Sequence, residues 1–173
     1  GAIGRCVALR AKGFQMRVVG YDPFWPTEFA HEQGIEQMEI EKLLKVSDIV
    51  SLHVPLMPET KWMINEKTLG LMKLSAILIN AARGGIVNET DLYQALKNKV
   101  IAGAGLDVFE NEPPTESALL ELDNVVLTPH TAAFTFEGMN NMSVGVVEQL
   151  IAYYHGNKPV HTVNPEAWDA QKA

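Results

Sequence analysis

The chain has 173 residues, 47% hydrophobic and 20% charged, which is enough for one globular domain with a real core. With 14 Lys and Arg against 21 Asp and Glu, the net charge is −7 and no basic cluster is present, so neither nucleic acid nor an anionic membrane surface is an expected partner. A single cysteine, Cys6, excludes a disulfide framework or a cysteine-based metal site and fits a reducing, cytoplasmic compartment; no apolar run approaches the roughly 20 residues of a membrane span, and residues 1–10 lack a signal-peptide pattern.

The start is unusual. Gly1-Ala2-Ile3-Gly4-Arg5 leads straight into an apolar-periodic run, Ile3, Val7, Ala8 and Ala11, with Gly13 as the expected C-cap. A helix that opens at a glycine pair has two readings. One is a capped surface helix. The other is the end of a G-x-G-x-x-G dinucleotide fingerprint, in which Gly1 lets the backbone approach a pyrophosphate and Gly4 lets the helix pack close to a strand. Arg17–Tyr21 then reads as a strand ending at Asp22. An acid there accepts hydrogen bonds from the ribose hydroxyls of NAD, although Asp-Pro is also ordinary turn chemistry. No Arg or Lys occupies residues 23–30, so nothing obvious would hold a 2′-phosphate, and NAD is expected rather than NADP.

Further along, strands and helices alternate. Ile35–Met38 is a short strand and Glu39–Val46 a short helix. Asp48–His53 is a buried strand ending at Val54-Pro55, followed by a loop carrying Thr60. A helix runs from Asn65 to Met72, a strand from Ser75 to Asn80, and a helix capped by Asn88 over Glu89–Asn98. Ile101–Leu106 is a strand, Glu116–Leu122 a short helix and Asn124–Leu127 a last strand. Thr135 caps a long helix to about Tyr154, with Met139, Met142, Val146, Leu150 and Tyr154 at helical spacing, and Gly156-Asn157 ends it. Pro159–Ala173 reads as an extended tail. This order means an α/β protein with a doubly wound parallel sheet, organised as one domain over residues 1–158 plus a tail over 159–173. In that architecture the first strand is central. It is missing from this sequence, which would leave two unpaired edges, so upstream residues are expected.

Three of the strands end in loops that carry polar chemistry: Asn80-Ala81-Ala82-Arg83-Gly84-Gly85, Leu106-Asp107-Val108-Phe109-Glu110-Asn111-Glu112-Pro113, and Leu127-Thr128-Pro129-His130. Ligands of open α/β sheets sit at the carboxyl ends of strands. An arginine, a glutamate and a histidine are therefore expected on one rim, a set suited to proton transfer beside a carboxylate substrate. Taken singly, Arg83 fits a surface arginine in a glycine turn and His130 a capping histidine; taken together at strand ends, they favour a site.

With Gly1-Ala2-Ile3-Gly4, these blocks occur in an order and spacing that resembles the nucleotide-binding domain of the D-isomer-specific 2-hydroxyacid dehydrogenases, the family of D-3-phosphoglycerate, glycerate and D-lactate dehydrogenases. The resemblance runs from Gly1 to about Pro165. It implies a Rossmann-like fold and NAD as cofactor. It also implies that Arg83 holds the substrate carboxylate, that His130 is the acid/base, and that Glu112, directly before proline, pairs with it; Glu110 is the competing carboxylate. By the same resemblance Ala2 and Ile3 lie against the pyrophosphate, Asp22 holds the adenosine ribose, and Val54, Pro55 and Thr60 line the adenine or ribose side. Ala81 and Ala82 run beside the nicotinamide, Asp107 contacts its carboxamide, and Ala132 and Ala133 stand where the family has small residues.

The implied substrate is a small 2-hydroxy or 2-keto acid, and the implied assembly a homodimer through the cofactor domain. The substrate domain would come from an N-terminal segment plus the return around Val163-Asn164-Pro165, so this chain alone is expected to be inactive. An NAD(H)-responsive corepressor of the same fold is the alternative. His53 reads as structural or cofactor-adjacent, and His31, His155 and His161 as exposed. Trp25 and Trp62 are candidates for the dimer interface. The five histidines show no metal spacing, so no metal is expected.

Overall fold

The computed structural model describes residues 1–170. The chain separates into two compact units, Gly1–His130 and a second beginning at Thr131. The first unit is an alternation of α1 (Ala2–Gly13), β1 (Val19–Gly20), α2 (Thr27–Gln33), β2 (Glu36–Gln37), α3 (Ile40–Val46), β3 (Ile49–Leu52), α4 (Glu66–Leu69), β4 (Ile77–Asn80), α5 (Glu89–Lys97), β5 (Gly103–Leu106), a 3₁₀ turn (Ala118–Glu121) and β6 (Val125–Leu127). The second holds α6 (Phe136–Tyr154) and α7 (Pro165–Ala170). All strand pairing is parallel, as helix-sized crossovers require. The strands form two sheets, β1-β2 and β3-β4-β5-β6, rather than one continuous sheet. An apolar cleft lies between them, walled by Gly20 and Trp25 on one side and by Val50, Leu52 and Ile64 on the other.

Register aligns the strand ends that matter. Leu52 pairs with Asn80, Asn80 with Leu106, and Leu106 with Leu127. The polar loops therefore leave the four-stranded sheet side by side. The ladder continues one step beyond the strands, with Asp107 N–H donating to Asn80 C=O (3.0 Å) and Thr128 N–H to Leu106 C=O (2.9 Å).

Burial alternates along these strands instead of covering both faces. Val50, Leu52, Leu78, Ala104 and Leu106 point into the core beside Leu44 of α3, Leu69 of α4 and Leu92 and Leu96 of α5, while Ile49 and Ile77 on the other face are exposed. The strands were expected as wholly buried runs, because continuous apolar sequence does not say which face a helix covers.

Local sequence explains the element ends. Asn65 caps α4, its side chain accepting from Thr68 N–H while Thr68 Oγ1 accepts from Asn65 N–H. Asn88 Oδ1 caps α5 by accepting from Asp91 N–H, and Thr135 Oγ1 caps α6 by accepting from Gly138 N–H. Helix α1 runs through Gly13 and is capped by Phe14, the left-handed residue being Gln15 (φ 60°). Two differences from the sequence reading are larger. Residues 27–33 form a helix, started after Pro26 and stopped by Gly34 in the left-handed region (φ 60°). The tail is not extended throughout, because Pro165 opens α7, with proline at a first-turn position where its missing N–H is not needed; residues 171–173 lie outside the described residues.

Candidate active site

The site is a row of loops at the carboxyl ends of the parallel strands. Asp22 follows β1, His53 and Val54 follow β3, Ala81–Arg83 follow β4, Asp107 follows β5, and Thr128–His130 follow β6.

At one end of the row, α1 begins at Gly1 with no side-chain cap. Its first N–H groups are thus without the side-chain acceptor that most helix starts carry. The Gly1 amino group lies 3.3 Å from Asp22 Oδ2, so helix start and strand-end acid face each other. Asp22 also makes the turn that its Asp-Pro sequence suggests, Oδ1 accepting from Phe24 N–H (2.9 Å). A Cβ on Gly4 would sit 3.5 Å from His53, an ordinary contact, so the helix rests on that ring. His53 Nε2 lies 3.0 Å from Ser51 Oγ. Burial holds this imidazole below its ordinary value. Gly1, Gly4, Asp22, His53 and Val54 all line the cleft between the sheets. Thr60 ties its own loop, Oγ1 donating to Pro55 C=O (2.6 Å) and accepting from Met57 N–H (2.8 Å). Trp25 stands against Gly20, where a Cβ would approach its ring to 3.2 Å.

At the other end, Asn80 organises the turn. Its side chain is buried; Oδ1 accepts from Ala82 N–H (3.1 Å) and Nδ2 donates to Arg83 C=O (2.9 Å). Arg83 is exposed, and its Nη1 donates to Ala82 C=O (2.6 Å). That leaves most of the planar fork for another acceptor. Gly84 passes directly over the Phe109–Glu110 peptide: a Cβ there would fall 1.8 Å from Phe109 O. The next loop presents Asp107, buried, whose Oδ1 accepts from Thr128 Oγ1 (2.5 Å).

Glu112 Oε1 accepts from Phe109 N–H (3.1 Å), and its Oε2 lies 2.8 Å from His130 Nδ1. A carboxylate only accepts, so the shared proton sits on Nδ1, and Nε2 is the nitrogen left for chemistry. The bond to His130 first, and the Phe109 N–H second, hold Glu112 below the ordinary carboxylate range. His130 takes a left-handed backbone (φ 54°), a conformation that costs a non-glycine residue of order 1–3 kcal/mol and that concentrates at functional sites.

Thus Glu112 and His130 are brought together by a direct bond, and Glu110 turns away to Glu89. Arg83 shares their rim and packs through Gly84 on their loop, but is not part of the ion pair. Ala132 and Ala133 belong to the second unit. Asn80 and Thr128, which orient Arg83's turn and Asp107, carried no expected role; their only signal in sequence was a place beside residues that did.

The model for the NAD binding domain of D-isomer specific 2-hydroxyacid dehydrogenases matches residues 1–132. The chain belongs to this family. It is similar to a glyoxylate reductase of Korarchaeum cryptofilum (52% identity over 167 residues, 96% of this chain and 50% of that protein). It is similar also to a D-3-phosphoglycerate dehydrogenase of Methanocaldococcus jannaschii (45% over 165 residues, 95% of this chain and 32% of that protein). Among solved structures, the NAD-complexed D-isomer specific 2-hydroxyacid dehydrogenase of Lactobacillus delbrueckii ssp. bulgaricus superposes with a TM-score of 0.85 at 37% identity, covering 95% of this chain and 53% of that one. The chain therefore spans half or less of the length of the curated relatives named here.

The residues present fit the family's dinucleotide. An uncapped helix start suits a pyrophosphate, and the facing carboxylate of Asp22, 29% exposed, suits a ribose diol. Among the described residues no group of three His, Cys, Asp or Glu is placed to hold a metal, and no helix is long and apolar enough to cross a membrane.

Proposed function

We propose that the protein carrying this chain is an NAD-dependent oxidoreductase of small D-2-hydroxy acids, and that Arg83, Glu112 and His130 are its substrate-facing residues. The observation that carries the reading is the Glu112–His130 pair, 2.8 Å apart in the loops that follow two adjacent strands, in a domain of this family. When bound, NAD supplies or accepts the hydride. His130 Nε2 exchanges the proton with the substrate oxygen, giving it up in reduction and taking it in oxidation. Glu112 fixes the ring through Nδ1 and balances the positive charge of the protonated imidazole. Arg83 turns its fork to the substrate carboxylate, setting distance and angle and offsetting negative charge on the reacting oxygen. Asp22 with the start of α1 would hold the adenosine half, with Ala2 and Ile3 on the pyrophosphate and Val54, Pro55 and Thr60 alongside. Ala81, Ala82 and Asp107 would flank the nicotinamide.

The relatives' names point to a short 2-keto acid as the oxidised substrate. The corepressor alternative gains no support from relatives named as reductases and dehydrogenases. The apolar cleft between the two sheets supports the expectation of one more strand there. A homodimer is also proposed. It is supported by α6, which buries none of its 19 residues and carries a half-exposed row of Met139, Met142, Val146 and Leu150. The functional test is to supply the full-length protein with NADH and a panel of glyoxylate, hydroxypyruvate, its 3-phosphate and pyruvate, and to follow NADH absorbance. Oxidation with at least one is expected; none with any would overturn the reading.

A further inference from the structure

Glu89 opens α5, where a backbone N–H has no partner within its own helix. That N–H donates to Glu110 Oε1 (3.1 Å), and Glu110 N–H donates back to Glu89 Oε1. This reciprocal clasp joins the start of a helix to the loop that carries Glu112. The clasped segment has two other duties. The Phe109–Glu110 peptide is the surface on which Gly84 rests, with no room for a Cβ, and Phe109 N–H holds one oxygen of Glu112 while the other meets His130. Two successive peptide units are therefore tied together through Phe109: Phe109–Glu110 is touched by the Arg83 turn and held by Glu89, and Val108–Phe109 is bonded to Glu112. The arrangement has an electrostatic cost. Burial pushes the Glu89 carboxyl up; the Glu110 N–H opposes this, and the charges of Glu110 and Glu112 add to it.

We propose that Glu89 is a positioning residue: by clasping Glu110 it keeps the Phe109–Glu110 peptide seated under Gly84, which aims Glu112 at His130 and holds both in register with Arg83. The consequence for rate rests on the dehydrogenase reading above; the geometric claim does not.

The test compares Glu89→Ala, which removes the acceptor, with Glu89→Gln, which keeps an acceptor oxygen without the charge, both in the full-length protein. The first readout is the His130 Nδ1 proton by NMR, visible downfield while it is held by Glu112. The second is kcat and KM for the keto acid, with NADH affinity and the melting temperature as controls. Glu89→Ala should lose the imidazole signal and lower kcat about 10- to 100-fold, while NADH affinity stays within about twofold because Asp22 and the start of α1 are untouched. Glu89→Gln should restore both. An unchanged imidazole signal in Glu89→Ala, or Glu89→Gln as defective as Ala, overturns the proposal, as does a fall in melting temperature alone. Should Glu89→Ala not fold, Glu110→Ala removes the other half of the clasp and should weaken the same signal; no change there overturns the proposal. If the parent turns over no keto acid, the dehydrogenase reading fails and the imidazole proton alone decides the clasp.

Discussion

Of the glycines, Gly84 is the one where an added methyl group meets the closest approach. The added Cβ would meet Phe109 O at 1.8 Å, Phe109 C at 2.2 Å and Glu110 N at 2.8 Å, all of them backbone atoms that cannot rotate away. Ordinary contact begins near 3.4 Å, so the two loops must part by about 1.6 Å. Forcing such overpacking costs about 1–3 kcal/mol. For a chain of this size that lowers the melting temperature by about 2–4 °C per kcal/mol. The functional effect should exceed the stability effect, since the loops that part carry Arg83 and Glu112, and a 1 Å misplacement near reacting groups can cost about 100-fold in rate. The assay is kcat/KM for the keto acid alongside thermal melting of G84A, with G145A as control. Gly145 lies inside α6 with nothing within 4 Å of a Cβ, and alanine there should stabilise by up to about 1 kcal/mol. If G84A melts within about 1 °C of the parent and keeps kcat/KM within about twofold, the close approach of the two loops is not what sets the site.

Three further outcomes follow from single contacts. Asp22→Ala should weaken NADH binding by about 10- to 100-fold and reduce discrimination against NADPH, while Asp22→Asn, which keeps the acceptor for Phe24 N–H, separates loss of the ribose contact from loss of the turn in a fluorescence titration. Thr128→Val removes the hydroxyl that donates to buried Asp107 and should lower unfolding free energy by about 1–3 kcal/mol in urea. Glu112 has a lowered carboxyl value in the fold, so its stabilisation is present above the unfolded value, about 4.5, and is lost as pH falls through the folded one. Glu112→Gln should therefore flatten the acid limb of a stability-versus-pH curve, and an unchanged limb would contradict the pairing.

Much of this was legible in sequence because it depends on local pattern. Apolar runs closed by Asn80, Leu106 and Leu127 are strands in register, and register alone lines up the loops that follow them. Capping by Asn65, Asn88 and Thr135 is likewise local chemistry. What was not legible depends on distance in the chain. Helix α2 is short, with little more than Phe29 and Ala30 as an apolar signal, and it is set by Pro26 before it and Gly34 after it. That Glu112 rather than Glu110 meets His130 follows what the resemblance implied, but the bonds that occupy Glu110 come from Glu89, 21 residues away, and only the fold reveals them. Gly84 is a glycine for lack of space, which only its neighbours across the loop reveal. Arg83 was expected to converge with the pair. Its guanidinium is instead exposed and donates to Ala82 C=O, a local bond that the sequence did not signal.

The central claim is that the imidazole at 130 moves the substrate proton. His130→Ala in the full-length protein, with NADH binding followed by fluorescence and turnover by absorbance, tests it most directly. The account predicts NADH affinity within about twofold of the parent and a loss of kcat of about 100- to 10,000-fold. Turnover equal to the parent's, with the cofactor still bound, would contradict it.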